Sequence, residues 1–376
     1  MMIFIIARGY PSKKYIGNGI FEFDQAKALA ARGHEIIYLA VDLRSIRRWR
    51  KWGFQTLVQD NVKIKAINIP LGQSPKMILH FFGIIGLSWL YKRATKEFKE
   101  PDIIHAHFTD SAYLSIKALS NKNIPIVMTE HSSLINKEEI DVKDKKIASY
   151  VYTRADAVFA VSPALQHRIK QNFGIHAKCI PNIVDLEVFK YEGNDKKSEV
   201  FSVVSVGNLI PLKRMNVLVD GFAEFVKTHP NSELIIFGEG SERIQLKRQI
   251  HVLGLAESAT LMGNRKRSEI TQALHLADCF VLVSSSETFG VAYIEALACG
   301  VPVIATKCGG PEGFVHEGNG LLIPVDDKTA LVDALFYMYE NTHRYKGQTI
   351  SQEILNKFSP DVIAIELENT YKEILA

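Results

Sequence analysis

The sequence predicts an α/β protein made of two doubly wound domains in tandem, and three observations support this. The chain has 376 residues, which at roughly 150 residues per domain is long enough for two domains. Short β-branched runs alternate with segments of helical periodicity, as in the βαβ units of a parallel sheet. A polar stretch at 191–199 interrupts this alternation near the middle of the chain, and we interpret it as a linker.

Twelve short apolar runs predict the strands, six on each side of this linker. Those of the first half are five to eight residues long, too short for the helical alternative. A closing segment, Asp361–Leu375, predicts a final helix that starts at Ser359-Pro360. The predicted strands are Ile3–Ala7, Glu35–Val41, Val62–Ile69, Asp102–Ala106, Ile124–Met128, Ala157–Val161, Val200–Val206, Glu233–Phe237, Ala259–Leu261, Cys279–Val283, Val303–Ala305 and Gly320–Ile323.

Composition excludes several classes of protein. Apolar residues make up 47% and charged residues 23% of the chain, as in ordinary globular proteins. The net charge of +4 is too weak to indicate a nucleic-acid partner. The longest apolar stretch, Ile78–Tyr91, is shorter than the roughly 20 residues of a membrane span. The first residues have no basic leader, so we expect a buried strand there rather than a secretory signal.

The cysteines predict no metal site. None forms a Cys-x-x-Cys pair, and no histidine pair lies nearby at zinc spacing. We therefore expect reduced, mostly buried thiols, as is usual in the cytosol. The four cysteines are Cys179, Cys279, Cys299 and Cys308.

Residues that follow strands are the first candidates for function. Ligands of open parallel sheets bind outside the carboxyl ends of the strands. Two such sheets that face each other would form a cleft lined by both sets of loops.

The segment 284–303 is the richest of these in the second half. A polar turn follows a buried strand, and a helix opens near Gly290. The backbone N–H groups of Gly290 and Val291 would then be free at a helix N-terminus, which is a ready site for a diphosphate. Glu287 in the loop and Glu295 in the helix could accept hydrogen bonds from sugar hydroxyls and from a ribose diol.

A second segment, 206–215, also follows a strand and opens an amphipathic helix. Lys213 and Arg214 are adjacent cations in its loop. From these residues alone, the pair could be two solvated surface cations or part of a phosphate site.

The stretch from Glu287 to Glu295 resembles the Glu-x7-Glu motif of the retaining nucleotide-sugar glycosyltransferases of family four, group one, which have the GT-B fold. The resemblance covers nearly the whole chain, because further motifs match in order and at family spacing. These are Pro181-Asn182-Ile183-Val184-Asp185, Phe237-Gly238-Glu239-Gly240, Gly309-Gly310-Pro311-Glu312 and Asn319-Gly320-Leu321-Leu322.

The resemblance implies a GT-B architecture of two tandem Rossmann-like domains facing a cleft. Residues 1–190 would form an acceptor-binding domain and residues 199–358 a nucleotide-sugar-binding domain. The final helix, within 359–376, would return to the N-terminal domain.

Donor-binding roles also follow from the resemblance. Glu287 is expected near the hydroxyls of the donor sugar, and Glu295 is expected to hold the ribose. Phe289, Gly290 and Val291 would offer backbone contacts to the phosphate and the sugar.

The expected cations on the donor are Lys213 and Arg214. Lys213 matches the phosphate-binding lysine of the family. The family often has an arginine where this chain has Asn208, and Arg214 would then substitute for it.

Three histidines end two neighbouring strands of the first half. His105 and His107 end one strand, and His131 ends the next. A histidine there can bind a phosphate or a sugar hydroxyl, whereas a packed or solvated histidine is the open alternative for His105 and His107. His131 resembles the family's Thr-x-His near the reacting sugar, so it joins Glu287 and Lys213 as a predicted catalytic residue.

Gly17, Asn18 and Gly19 resemble the family's glycine-rich loop, where acceptor and donor phosphates approach the backbone. Together with His107 they form the predicted acceptor or phosphate loop. The alternative is a dinucleotide fingerprint of an NAD-dependent oxidoreductase, with Asp42 as its ribose acid. That fingerprint requires its turn directly after the strand and a third glycine, where this chain has Glu22.

Basic and aromatic residues alternate in the segment 44–54. An exposed helix is one interpretation, and a surface patch that faces anionic lipid is the other. The apolar stretch within Lys76–Lys99, flanked by further cations, favours peripheral binding to the cytoplasmic leaflet. The predicted membrane patch comprises Arg47, Arg48, Trp49, Arg50, Lys51 and Trp52.

The predicted activity is transfer of a hexosyl group from a nucleotide-diphosphate sugar to a hydroxyl acceptor, with retention of configuration. Lys213, Arg214 and the amides near Gly290 would stabilise the departing diphosphate. The sequence has no Asp-x-Asp motif, so we expect no metal or other cofactor. The expected acceptor is a lipid-linked saccharide of surface-polysaccharide or cell-envelope synthesis. A nucleotide-sugar epimerase and a non-catalytic membrane-docking partner are the alternatives.

Overall fold

The chain forms two compact units in the computed structural model, which describes residues 1–12, 14–15, 17–137, 139–193 and 199–376. The first unit is Met1–Ile183 together with Pro360–Ala376, and the second is Val184–Ser359. The division therefore falls after Ile183 and not after residue 190. The backbone N–H of Val184 donates to the carbonyl of Phe358 at 3.0 Å, which joins this segment to the end of the second unit. Of the predicted linker, 194–198 lie outside the described residues.

An eight-stranded sheet organises the first unit, in the order β3-β4-β2-β1-β5-β6-β7-β8. Its strand pairs are parallel except for the antiparallel β3–β4 pair. The strands are β1 Met2–Ala7, β2 Glu35–Asp42, β3 Gly53–Gln59, β4 Val62–Asn68, β5 Ile103–His107, β6 Ile126–Glu130, β7 Ala157–Ala160 and β8 Lys178–Cys179; the helices are α1 Ile20–Ala31, α2 Lys76–Glu97, α3 Phe108–Ala118, α4 Val142–Tyr152, α5 Pro163–Phe173 and α12 Pro360–Leu375.

Local sequence explains how these elements start and stop. All six residues of β1 are buried, as expected for a central parallel strand. Asp60 and Asn61 both have positive φ angles, 48° and 60°, which is the geometry of a two-residue hairpin turn between β3 and β4. Ser162 caps α5 by accepting from the N–H of Leu165, and Gly174 ends that helix in the left-handed conformation.

The C-terminal helix α12 belongs to the first unit, as predicted. It packs against α1, and Glu368 on α12 receives the Arg32 guanidinium at 2.6 Å and the His34 ring at 2.9 Å. Tyr371 is fully buried in the same core. The helix therefore completes the hydrophobic core of a unit whose other residues lie far away in the sequence.

A six-stranded parallel sheet organises the second unit, in the order β11-β10-β9-β12-β13-β14. The amphipathic pattern after β9 forms α6, whose Leu218, Phe222 and Phe225 are buried. The strands are β9 Phe201–Val206, β10 Ser232–Phe237, β11 Ala259–Gly263, β12 Cys279–Leu282, β13 Val303–Thr306 and β14 Gly320–Ile323; the helices are α6 Met215–Val226, α7 Arg243–Val252, α8 Arg267–Leu276, α9 Val291–Ala298, α10 Lys328–Asn341 and α11 Gly347–Phe358.

All twelve predicted strands are present, and β3 and β8 are additions. The predicted alternation into two α/β units is confirmed. Among the described residues, every helix is too short or too polar to cross a membrane. All four cysteines are free thiols.

Candidate functional site

Lys213 and Glu287 meet at the carboxyl ends of the strands of the second unit. Lys213 ends a 3₁₀ turn that follows β9, and Glu287 lies in the loop between β12 and α9. Lys213 Nζ donates to Glu287 Oε1 at 2.5 Å, and Ser284 Oγ donates to the same oxygen at 2.8 Å. The side chains are only 18% and 10% exposed. Two residues predicted as catalytic, from separate segments of the sequence, thus form one largely buried ion pair.

Backbone hydrogen bonds fix the loop that carries Glu287. Its N–H donates to the carbonyl of Cys308 at 3.1 Å, and its carbonyl accepts from Gly310 at 2.9 Å. Two residues earlier, Ser285 N–H donates to the carbonyl of Leu212 at 2.9 Å. The loops that follow β9, β12 and β13 are therefore tied together around the ion pair.

The amino end of α9 is open beside this loop. Gly290 precedes the helix with a φ of 96°, and no side chain caps its first turn. A Cβ atom at Gly290 would lie 2.6 Å from the ring of Tyr293, so the site requires glycine for both conformation and space. The amides at the start of such a helix lack intrahelical acceptors and favour an anionic ligand.

Phe289 supports this turn from the hydrophobic core. Its side chain is 3% exposed, and its ring lies 5.3 Å from that of Phe314 and 5.5 Å from that of Phe358. The backbone of Phe289 is therefore the part available to a ligand, as the prediction of backbone contacts requires.

Glu295 lies within the first turns of α9 and pairs with Arg267, a residue that sequence reasoning missed. Arg267 Nη2 is 3.4 Å from Glu295 Oε1, and Arg267 Nη1 is 3.4 Å from Asp185 Oδ2. The guanidinium also lies 5.8 Å from the centre of the Phe189 ring. The sequence signal for Arg267 was the basic run 265–267, which follows β11 and leads into α8.

Asn208 and Arg214 are not brought into the ion pair of Lys213 and Glu287. The Asn208 side chain is exposed. Arg214 pairs with Asp326 through two contacts, Nε–Oδ1 at 2.8 Å and Nη2–Oδ2 at 3.0 Å. Its role as the second donor cation stays a prediction, and its side chain would have to leave Asp326 to fulfil it.

His107 and His131 face each other at the ends of β5 and β6. His107 Nδ1 lies 3.0 Å from His131 Nε2, and the two rings stack with centroids 5.3 Å apart. The rings of Phe21 and Phe108 flank His131 at 6.0 and 4.9 Å. Burial, helped by the positive charge of Arg8, lowers the pKa of His131 to about 3. Burial also lowers the pKa of His107, so both rings are neutral near pH 7.

His105 is a packed histidine of the core. Its Nδ1 is 2.6 Å from the Tyr371 hydroxyl and its Nε2 is 2.7 Å from Thr129 Oγ1. Burial lowers its pKa to about 3. Both ring nitrogens serve the interior of the unit, which confirms the packed interpretation.

Glu130 is a second residue that sequence reasoning missed. It is fully buried and accepts the backbone N–H groups of His131 at 3.0 Å and Ser132 at 2.9 Å. The hydroxyls of Tyr152 and Thr109 donate to its other oxygen. Burial raises its pKa. Glu130 thus holds the turn that positions His131, and its signal was an acidic residue at the end of an apolar strand.

Gly17, Asn18 and Gly19 line a cavity of about 650 Å³ in the first unit. Gly19 precedes α1 with a φ of 71°, and a Cβ atom there would lie 2.4 Å from the carbonyl oxygen of Gly9. The volume is typical of a small-molecule site. His107, predicted with this loop, is not among the residues that line the cavity.

Asp42 is committed to arginines, which removes the residue required by the dinucleotide alternative. It is 2% exposed and pairs with Arg44 at 2.7 Å and Arg50 at 3.0 Å. Its carboxylate is therefore not available to a ribose.

The basic aromatic segment 44–54 is only partly exposed. Arg50 was predicted as part of a membrane patch, but it is 7% exposed. Its guanidinium pairs with Asp42 and lies 4.6 Å from the centre of the Tyr10 ring, so it is a structural residue. Trp49 is 59% exposed, and Trp52 is half-buried. Arg47, Arg48 and Lys51 are exposed, and the segment forms turns instead of the alternative exposed helix.

Helix α2 has an exposed apolar face. Met77, Phe81, Ile85 and Trp89 recur every fourth residue and are 81%, 60%, 50% and 39% exposed. The opposite side is buried, and a Cβ atom at Gly83 would lie 2.8 Å from a Leu114 methyl group. The helix therefore packs closely on one side while its other side presents large apolar groups to the surroundings.

Two family models match the chain, one to each half. The family described as Glycosyltransferase Family 4 matches residues 21–188, and the one described as Glycosyl transferases group 1 matches residues 189–352.

Curated relatives and solved structures also match along most of the chain. It is 27% identical to N-acetyl-alpha-D-glucosaminyl L-malate synthase of Bacillus anthracis, covering 97% of this chain and 96% of the relative. It is 25% identical to alpha-monoglucosyldiacylglycerol synthase of Acholeplasma laidlawii, covering 82% and 84%. The crystal structure of Anabaena HepE with UDP-glucose matches with a TM-score of 0.76 at 22% identity, over 99% of this chain and 100% of that one, which shows a shared fold.

Proposed function

Because the chain belongs to the group 1 glycosyltransferases of family 4 and has their GT-B fold, we propose that it transfers a sugar from a nucleotide-diphosphate sugar to a hydroxyl acceptor with retention of configuration. We propose a lipid-linked saccharide as the acceptor. The reaction would take place on the cytoplasmic side of a membrane that the protein contacts peripherally.

One observation carries the donor proposal: the Lys213–Glu287 ion pair stands beside the uncapped amino end of α9. The ammonium group and the free amides provide positive charge where a diphosphate would leave. The carboxylates of Glu287 and Glu295 are acceptors for hydroxyl groups of the sugar and the ribose. HepE, solved with UDP-glucose, is consistent with a donor of this class.

The mechanism that we propose uses charge and not an enzyme nucleophile. The bond from the anomeric carbon to the diphosphate breaks while positive charge develops on the sugar ring. Lys213 and the α9 amides stabilise the departing diphosphate without a metal ion. The acceptor hydroxyl attacks from the face that the diphosphate leaves, and the diphosphate takes its proton. Glu287 holds Lys213 in place through the 2.5 Å contact.

The acceptor proposal rests on the first unit. The exposed apolar face of α2 suits insertion into the lipid interface, and exposed cations such as Arg47 and Lys51 suit an anionic leaflet. One relative is named as a synthase of alpha-monoglucosyldiacylglycerol, whereas another is named for an L-malate compound. We favour the lipid because a soluble acceptor leaves the α2 face unexplained.

A panel of nucleotide sugars tests the proposal. Titration calorimetry should show binding of the diphosphate sugars of one nucleotide and not of the others. NMR of the product should show that the transferred sugar keeps the anomeric configuration it had in the donor. An inverted product would refute retention. An epimer of the free donor, or no glycosylated product with any membrane lipid extract, would refute the transferase proposal.

A further inference from the structure

We propose that the cavity of the first unit binds an anionic group of the acceptor, a phosphate or a carboxylate, through the guanidinium groups of Arg8 and Arg48. This inference rests on the proposed function, since it names a chemical class for the acceptor. It concerns a site separate from Lys213, which belongs to the second unit.

Arginines are in excess around one carboxylate at this cavity. Asp42 pairs with Arg44 and Arg50 at 2.7 and 3.0 Å, and Arg48 lies within its electrostatic field. A single carboxylate cannot neutralise three guanidinium groups. Arg44 and Arg48 line the cavity, so this wall carries an excess of positive charge.

Arg8 also lines this cavity. Its guanidinium carbon lies 3.3 Å from the centre of the Phe108 ring. Within the described part of the chain, neither Arg8 nor Arg48 has an ion pair or a side-chain hydrogen bond. Stacking on an aromatic ring leaves the N–H groups of a guanidinium free at its edge, where they can bind a phosphate or carboxylate in a bidentate manner.

The backbone conformation of Phe108 indicates that its stacking with Arg8 has a functional role. Phe108 has a φ of 68°, a left-handed conformation that is unusual and costly for a bulky residue. In this conformation the Phe108 ring contacts the Arg8 guanidinium and also lies 4.9 Å from the His131 ring, measured between ring centroids. The anion site is thereby linked by direct contact to the predicted catalytic histidine.

The acidic residues that line the cavity offset only part of this charge. Burial raises the pKa of Glu22, which favours its neutral form. Asp110 contacts the His80 ring at 3.2 Å and lies in the electrostatic field of both Lys76 and Arg8, so it is one carboxylate shared among several cations. The lysine of the described lining, Lys76, donates to Asp144. Arg8 and Arg48 are therefore the cations of the described lining that an incoming anion can engage without breaking an ion pair.

The test measures binding of glycerol 3-phosphate by titration calorimetry, with glycerol as the neutral probe. Replacement of either arginine, as Arg8→Gln or Arg48→Gln, should raise the Kd about tenfold or more, because a charge-assisted hydrogen bond is lost. Arg47→Gln is the matched control, since Arg47 is an exposed neighbour outside the cavity. It should change the Kd less than about twofold, as expected for surface charge. Thermal melts check that each variant folds, and Arg8→Lys should restore part of the affinity.

Three results would overturn the inference. Wild-type protein that binds glycerol 3-phosphate no better than glycerol has no anion site. Equal losses in Arg47→Gln and Arg48→Gln would indicate unspecific surface charge. A loss confined to Lys213→Gln would place the probe at the donor site.

Two further arms identify the source of the anion. Monomeric short-chain phosphatidic acid, compared with short-chain phosphatidylcholine, tests a lipid headgroup in the absence of a membrane surface, and succinate tests a free carboxylate. A dependence on Arg48 but not on Arg47 in either arm supports the site and names the source. All of these experiments measure binding and need no turnover. A protein that binds the anion but transfers no sugar would therefore refute the proposed function and leave the anion site standing.

Discussion

Replacement of the apolar face of α2 should abolish membrane binding without unfolding the protein. The variant is Met77→Ser, Phe81→Ser and Ile85→Ser together. These side chains are already 81%, 60% and 50% exposed, so the folded protein gains little from them. We expect the free energy of unfolding to fall by only about 2 kcal/mol, because the parts of these side chains that are buried in the folded protein are small, and the protein should stay folded.

The exposed fractions give the size of the effect on membrane binding. Full burial of such a side chain contributes about 1.5–3 kcal/mol. Scaled by the fractions that remain exposed, the three side chains can contribute about 4 kcal/mol on insertion. Their replacement should therefore lower the partition coefficient roughly a thousandfold.

Co-sedimentation with liposomes of increasing anionic lipid content measures this partitioning. The matched control is Ile244→Ser, Val252→Ser and Leu276→Ser, which removes three side chains of the second unit that are 70%, 80% and 65% exposed. The control variant should sediment like wild type. Equal sedimentation of wild type and the α2 variant, or an equal loss in the control, would refute the membrane role of α2. Wild-type binding that shows no preference for anionic lipid would refute the contribution of the cations.

Three other predictions follow from the two units. Lys213→Ala should lower kcat about 10²–10³-fold while the protein stays folded in thermal melts, because Ser284 still donates to Glu287; a normal kcat would contradict its role. Glu295→Ala should mainly raise the Kd of the nucleotide in calorimetry, and an unchanged Kd would contradict ribose binding. Burial holds the pKa values of His105 and His131 at about 3, whereas the unfolded chain takes up protons near pH 6.5. Each should therefore lower the free energy of unfolding by up to about 1.4 kcal/mol per pH unit as the pH falls from 6.5 toward 3, and denaturant titrations that show constant stability from pH 7 to pH 5 would contradict this.

The central strands could be predicted because burial on both faces leaves a continuous apolar run. Such runs are evident in β1 and β2, whose residues are almost all buried. The missed strand β3 is half-exposed along most of its length, and β8 has only two residues. At an edge of the sheet the pattern weakens because one side needs no apolar residue.

Site residues could be predicted from the sequence where a charged residue or a glycine lies in a loop directly after a strand. Lys213, Glu287 and Gly290 each carried a local signal, and the structure brings them to one set of loops. Arg267 and Glu130 carried only weak signals, a basic run and an acidic residue at the end of a strand, because their roles depend on partners that the fold supplies from other elements. Arg50 was misread for the same reason, since its pairing with Asp42 is not visible in a run of basic residues.

The two units place charge differently, and this decides which groups can assist the reaction that we propose. In the first unit, burial keeps the imidazoles of His107 and His131 neutral, so they can exchange hydrogen bonds with a sugar but cannot balance a diphosphate. In the second unit, Lys213 Nζ pairs with Glu287 beside an open helix end. A leaving group that gains negative charge is stabilised only by groups that are positive or polarised before it departs. In the mechanism that we propose, Lys213 and the α9 amides therefore stabilise the diphosphate, whereas the neutral histidines of the first unit can contribute only hydrogen bonds.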